Sequence, residues 1–194
     1  MNRPVALVGP GGPPLRGLAL ALAEAARPIG LTTLAPARDH EFATASIANE
    51  LWALGADHLH RVLDAADPAA LGAFLAELED RFGPLAALAV DPGPLPDIPF
   101  DEFSIDEWLP LARERLGATL VAIRCAAPLL ERAGGGPVAI VRHPAPATAA
   151  PALIDAALAQ LPAALEAELA GRPLRPAALD AAGDLAAAFL SLLP

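Results

Sequence analysis

Short apolar runs alternate with longer amphipathic ones through the first half of the chain, each pair separated by turn-forming residues. That alternation is the signature of repeated strand-helix-strand units. Residues Pro4 to Gly9 (PVALVG) predict a buried strand, followed by a Gly/Pro turn and a helix from about Pro14 to Ala26. Proline suits a first helical turn because its missing N–H had no partner there. Gly30 to Ala35 predict a second strand, and Asp39 is placed to cap a helix to Leu54, with Gly55 as the left-handed residue that ends it. A third strand is expected over His58 to Leu63, and a helix opened by Asp67 and Pro68 closes at Gly83. A fourth strand, Leu85 to Val90, runs into the loop DPGPLPDIP. Ser104 with Glu107 has the spacing of a capping box for a long helix reaching about Arg132, and Pro137 to Arg142 predict a fifth strand.

The last third is less regular. Ala152 to Ala170 has a helical composition interrupted by Pro162, which predicts one kinked helix or two helices. Leu174 to Leu179 forms a weak strand whose Pro176 restricts it to a sheet edge or a loop, and a final helix is expected from about Ala181 to Leu193. Prolines and glycines are spread through turns, and no repeat of fixed period occurs. The expectation is an α/β protein, a three-layer doubly wound parallel sheet of Rossmann type, with residues 1–194 forming a single domain.

Composition narrows the function. The formal charge of -10 disfavours a nucleic-acid or anionic-membrane partner. Hydrophobic content of 55% is rich in alanine, and the long apolar runs are cut by charges such as Glu24, Arg27 and Arg124. None reaches the roughly 18 to 20 uninterrupted residues of a membrane span. With no secretory leader pattern and one cysteine, Cys125, the chain is expected to be a soluble cytoplasmic protein. All 13 basic residues are arginine, and tyrosine is absent. Chemistry that needs a phenol or a lysine ammonium from this chain is thereby excluded.

Several segments together carry a family likeness. VGPGGPPLRGLALALAEA stands where a TGxxxGxG turn and first helix would stand, ALGADHLHRVLDAAD where a third strand ends in an adenine-contacting Asp, and LAVDPG where a fourth strand ends in NNAG. PFDEFSIDEW, the long helix and LLERAGGGPVAIV follow in order and spacing. In these features the chain resembles the short-chain dehydrogenase/reductase family over nearly its whole length. The resemblance implies an NADP or NAD site at Gly9, Gly11, Gly12, Arg38, Asp64 and Gly93, with Arg38 placed for a 2'-phosphate and Asp64 for adenine. It also implies association through the long helix and the helix after the fifth strand, as a homodimer or with an active relative.

The family's reaction is a hydride transfer by a Ser, Tyr, Lys and Asn set, and none of those residues stands in place. The Ser position falls on His143, the Asn on Arg115, and the Tyr and Lys near Pro151 and Asp155. The second and third turn glycines fall on Pro13 and Leu15, the segment after the fifth strand is shortened, and the substrate loop after the sixth strand is absent. This implies a non-catalytic or partner subunit with weak or no NAD(P) binding.

A second reading remains open. Adjacent strand ends place Asp91 beside His143, with Arg115 facing them from the long helix, a usable general-base arrangement for an atypical oxidoreductase or other chemistry. His58 and His60 share a strand face without a third ligand, so no metal is expected. Cys125 is read as a buried inert thiol, and Trp52 and Trp108 as core or interface anchors.

Overall fold

The computed structural model describes residues 2–194. Six parallel strands form one sheet in the order β3-β2-β1-β4-β5-β6. They are β1 (Val5–Gly9), β2 (Ile29–Thr33), β3 (His58–Arg61), β4 (Ala87–Val90), β5 (Gly136–Arg142) and β6 (Leu174–Asp180). The chain first winds outward from β1 to β3, then returns to β4 on the other side of β1. That reversal creates a crevice outside the carboxyl ends of β1 and β4, where open α/β sheets bind ligands.

Strand side chains alternate between two helical layers. Val5 and Leu7 of β1 join a core with Leu15, Leu18 and Leu22 of α1 (Pro13–Glu24), Ile47 and Leu51 of α2 (Arg38–Ala53), and Phe189 of α7 (Leu185–Leu192). Ala6 and Val8 face the opposite core, with Phe74 and Leu78 of α3 (Pro68–Phe82) and Ala122, Ala126 and Leu130 of α5 (Ala118–Arg132). The period of two along β1 thus feeds both faces, which is why its residues are uniformly apolar. The three-layer doubly wound architecture expected from the sequence is observed.

Local differences have local causes. Asp39 does not cap α2: the cap position is Ala37, and Asp39 lies in the first turn. Ser104 occupies the cap position of α4 (Ile105–Ala112), but its side chain accepts no hydrogen bond there, so the capping box does not form. Asp67 does cap α3, accepting from Ala69 N–H at 2.9 Å and Ala70 N–H at 3.4 Å. The long helix runs from α4 through a π-helical turn (Arg113–Gly117) into α5. The helix α6 (Ala149–Glu168) continues past Pro162 as one element. β6 is a full edge strand, paired with β5 from Leu174 to Asp180, where Pro176 is tolerated. The final helix starts later than expected because Ala181–Asp184 makes a turn, in which Ala182 N–H donates to Asp180 Oδ1.

Among the described residues no helix is long and apolar enough to cross a membrane. Likewise, no group of three His, Cys, Asp or Glu side chains is arranged as a metal would require.

Candidate functional site

A cleft of about 610 Å³ lies at the carboxyl edge of the sheet. Its walls come from the β1–α1 turn (Pro10, Pro13), the start of α2 (His40, Ala43), the segment after β4 (Asp91, Pro94), Arg115, His143 and the turn after β6. The size is that of a small-molecule pocket, with mostly apolar walls and a few polar groups.

Asp91 and His143 meet on its floor. Each follows a strand, β4 or β5, and these strands pair directly, with Val90 opposite Ile140. His143 Nε2–H donates to Asp91 Oδ1 at 2.7 Å, and Gly93 N–H donates to the same oxygen at 2.7 Å. Asp91 is 1% exposed, and its Oδ2 has no hydrogen-bond partner among the described residues. A carboxylate that takes Nε2–H leaves Nδ1 as the basic nitrogen. Chemically this is an imidazole of fixed tautomer, able to accept a proton at Nδ1.

Arg115 lines the same cleft but is engaged elsewhere. Its Nη1–H donates to Pro92 O at 2.6 Å, and Nη2 lies 3.3 Å from the Glu114 carboxylate. It makes no ion pair with Asp91, and the arrangement is an Asp91–His143 pair with an arginine alongside. The π turn supports this placement, with Thr119 Oγ1–H donating to Arg115 O at 2.6 Å. Such turns are often found at functional sites.

The six positions implied for a dinucleotide are placed as follows. Gly9 ends β1, where a Cβ would lie 2.9 Å from Asp91 O. Gly11 has φ +85, and a Cβ would lie 2.7 Å from Thr44 N, so the turn rests directly on the backbone of α2. Gly12 is the cap residue of α1, and Pro13 and Pro14 follow without N–H groups. The helix terminus therefore offers an anion fewer donors than usual. Arg38 is exposed, its guanidinium 5.3 Å from the centre of the Phe42 ring. Asp64 accepts from Arg113 Nη2 at 2.7 Å and from Ala66 N–H at 2.9 Å. Gly93 has φ +74, and its open face is covered by Arg115 Nη1, 2.6 Å from where a Cβ would sit. The adenine-side Asp is thus taken by an ion pair and the open face of Gly93 by a guanidinium. As they stand, Asp64 and Gly93 are engaged within the protein, while Arg38 is free at the surface.

The sequence reading missed His40, Arg113 and Glu114. His40 is buried in the cleft wall, with Nε2 3.9 Å from Glu114 Oε1 and Nδ1 unpartnered. A histidine in the first turn of an amphipathic helix, three residues behind a proline-broken loop, was the available signal. Of the remaining residues, Trp52 is exposed and outside the core, and Trp108 Nε1–H donates to Ala150 O at 2.8 Å. Cys125 is only partly buried, and that burial pushes its thiol up, away from nucleophilic character.

No protein-family model matches the chain, and no curated protein matches it in sequence. Solved structures do match in fold. A short-chain dehydrogenase from Rhodopseudomonas palustris is 21% identical, with a TM-score of 0.81 over 98% of this chain and 90% of that one. A hydroxysteroid dehydrogenase from Escherichia coli is 18% identical, with a TM-score of 0.79 over 92% of this chain and 74% of that one. A gluconate 5-dehydrogenase from Burkholderia cenocepacia, in complex with NADP and tartrate, is 24% identical, with a TM-score of 0.76 over 93% and 71%. The fold is that of the short-chain dehydrogenases.

Proposed function

We propose that the protein is a degenerate relative of the short-chain dehydrogenase/reductase family that does not carry out Tyr-dependent hydride transfer and serves as a binding or partner subunit. The observation that carries this is the occupancy of α6. The Tyr and Lys positions fall near Pro151 and Asp155, and Arg142 Nη2–H donates to Asp155 Oδ1 at 2.9 Å, tying that carboxylate to β5. NAD(P) affinity is weak or absent, consistent with the engaged Asp64 and covered Gly93.

Association with a second copy or an active relative is supported by exposed apolar side chains. Ile105, Leu109 and Leu120 on the long helix and Leu153 on α6 are all exposed, on the two helices through which the family pairs. Large exposed apolar groups of this kind mark interaction surfaces.

A second reading is favoured by one specific contact, the 2.7 Å hydrogen bond between His143 and Asp91. On that reading the cleft performs proton transfer at His143 Nδ1 on a different substrate. The test is to mix the protein with NADPH or NADH and a panel of ketones and aldehydes, following nicotinamide absorbance. The expected rate equals that without protein. Turnover retained in His143→Ala would sink the proposal, and turnover abolished by that change would transfer the case to the second reading.

A further inference from the structure

The three successive charged residues of the π turn reach three different parts of the sheet edge. Arg113 pairs with Asp64, beyond β3, at 2.7 Å. Glu114 approaches His40, on α2, at 3.9 Å. Arg115 donates to Pro92 O, beyond β4, and covers Gly93. Pro10, beyond β1, completes the closure, its Cγ 3.0 Å from where a Cβ of Gly93 would sit. In sheet order these contacts lie beyond β3, β2, β1 and β4.

In doubly wound sheets an extended dinucleotide crosses this edge, its pyrophosphate at the first helix and its adenosine ribose held from the end of β2. Here Asp64 and Gly93, at the β3 and β4 ends, are covered by paired side chains, while the cleft containing Asp91 and His143 stays open and reaches back to the Gly12–Pro14 turn and the start of α2. We propose that Arg113, Glu114 and Arg115 form a strap that closes the adenine end of the crevice over Asp64 and Gly93, so that the protein excludes adenine dinucleotides and admits only ligands of mononucleotide length or less. The inference goes beyond the proposed loss of hydride transfer, since it concerns which molecules can enter and not what happens to them.

The strap is held by complementary contacts, not by apolar packing alone. Arg115 is largely buried, with its side chain 14% exposed, and Glu114 sits between it and His40. Arg113 is the exposed end, its partner Asp64 being further anchored by the Ala66 N–H. Removing the three side chains would free Asp64 from its ion pair and Gly93 from the guanidinium, two of the six positions that the family likeness implies.

The test uses ADP-ribose, which carries adenosine and pyrophosphate but no nicotinamide, so its binding is independent of any hydride chemistry. Calorimetric titration of the unaltered protein is expected to show no saturable binding at about 5 mM, and Arg113→Ser/Glu114→Ala/Arg115→Asn to bind with Kd below about 1 mM. Saturable sub-millimolar binding to the unaltered protein overturns the proposal. So does a variant with an unchanged thermal transition that still fails to bind, because the exclusion would then lie in the Pro13–Pro14 turn. If the triple variant does not fold, Arg113→Ser/Glu114→Ala keeps Arg115 in place and is judged by the same criterion.

Discussion

The amino and carboxyl halves of the sheet edge have been treated differently. Toward β3, polar groups are engaged with one another: Thr33 Oγ1–H donates to Leu63 O at 2.6 Å and accepts from Leu63 N–H at 2.9 Å, Arg113 pairs with Asp64, and Gly11 lies on the backbone of α2. On the β4–β6 side, Asp91 keeps an unpartnered oxygen and His143 a free nitrogen beside open space. Buried polar groups are normally paired, so a carboxylate left half-satisfied in a cleft is the exception needing a reason. The difference teaches that the edge is not built uniformly. Its β3 end is engaged as ordinary structure, while the cleft around Asp91 and His143 has the features of a site.

The largest expected effect tests the closed half. Gly11→Ala places a Cβ 2.7 Å from Thr44 N and 2.8 Å from Ala43 Cβ, at a φ that side chains rarely adopt. The clash is with backbone, which cannot swing aside, so we expect a loss of about 3 kcal/mol in urea unfolding. Gly12→Ala is the internal comparison, since its Cβ would meet only Pro14 Cδ at 3.7 Å. Equal stability of the two variants would show that the turn does not rest on α2 and that the closure is loose.

A smaller effect probes the open half. Asp91→Ala removes the acceptor of two hydrogen bonds, from Gly93 N–H and His143 Nε2–H, at a residue only 1% exposed. Leaving such donors without a partner costs about 1–3 kcal/mol, and we expect destabilisation within that range. A gain in stability would sharpen the contrast instead. It would mean that the buried carboxylate is held at a cost, as groups kept for binding or chemistry commonly are.

How much of this was legible in sequence follows from where each residue sits. The runs at Val5–Gly9, Ala87–Val90 and Gly136–Arg142 announce themselves because central parallel strands are apolar on both faces. Asp91 and His143 were legible as neighbours because each directly follows a strand and the sheet order pairs those strands. Their contact needed no knowledge of loops. The strap was not legible, because a π turn shifts the phase of the long helix without any sign in its hydrophobic spacing. Nor was the failure of Ser104 to cap α4, since the spacing of a capping box does not fix where a hydroxyl points. The single helix through Pro162 shows tertiary packing overriding propensity: Leu158 and Leu165, on either side of the proline, both pack inward.

The smallest expected effect returns to the closed half and concerns pH. Thr44 Oγ1–H donates to His40 O at 2.8 Å, so its lone pair accepts from His60 Nε2–H at 3.0 Å. That contact is made by the neutral ring as well as the charged one, and burial, reinforced by His58 and Arg61, holds the His60 pKa below its ordinary 6.5. With the folded value depressed, the unfolded chain takes up the proton first as pH falls. Stability from this group is therefore complete above about 6.5 and is lost on descending from there through the folded value. His60→Gln retains an N–H for Thr44 and cannot titrate, so it isolates the effect. Between about pH 7.5 and about pH 5.5 the unaltered protein should lose more thermal stability than this variant. Identical losses would place His60 in contact with water, and the β3 end of the closed half would then be as open as the cleft around His143.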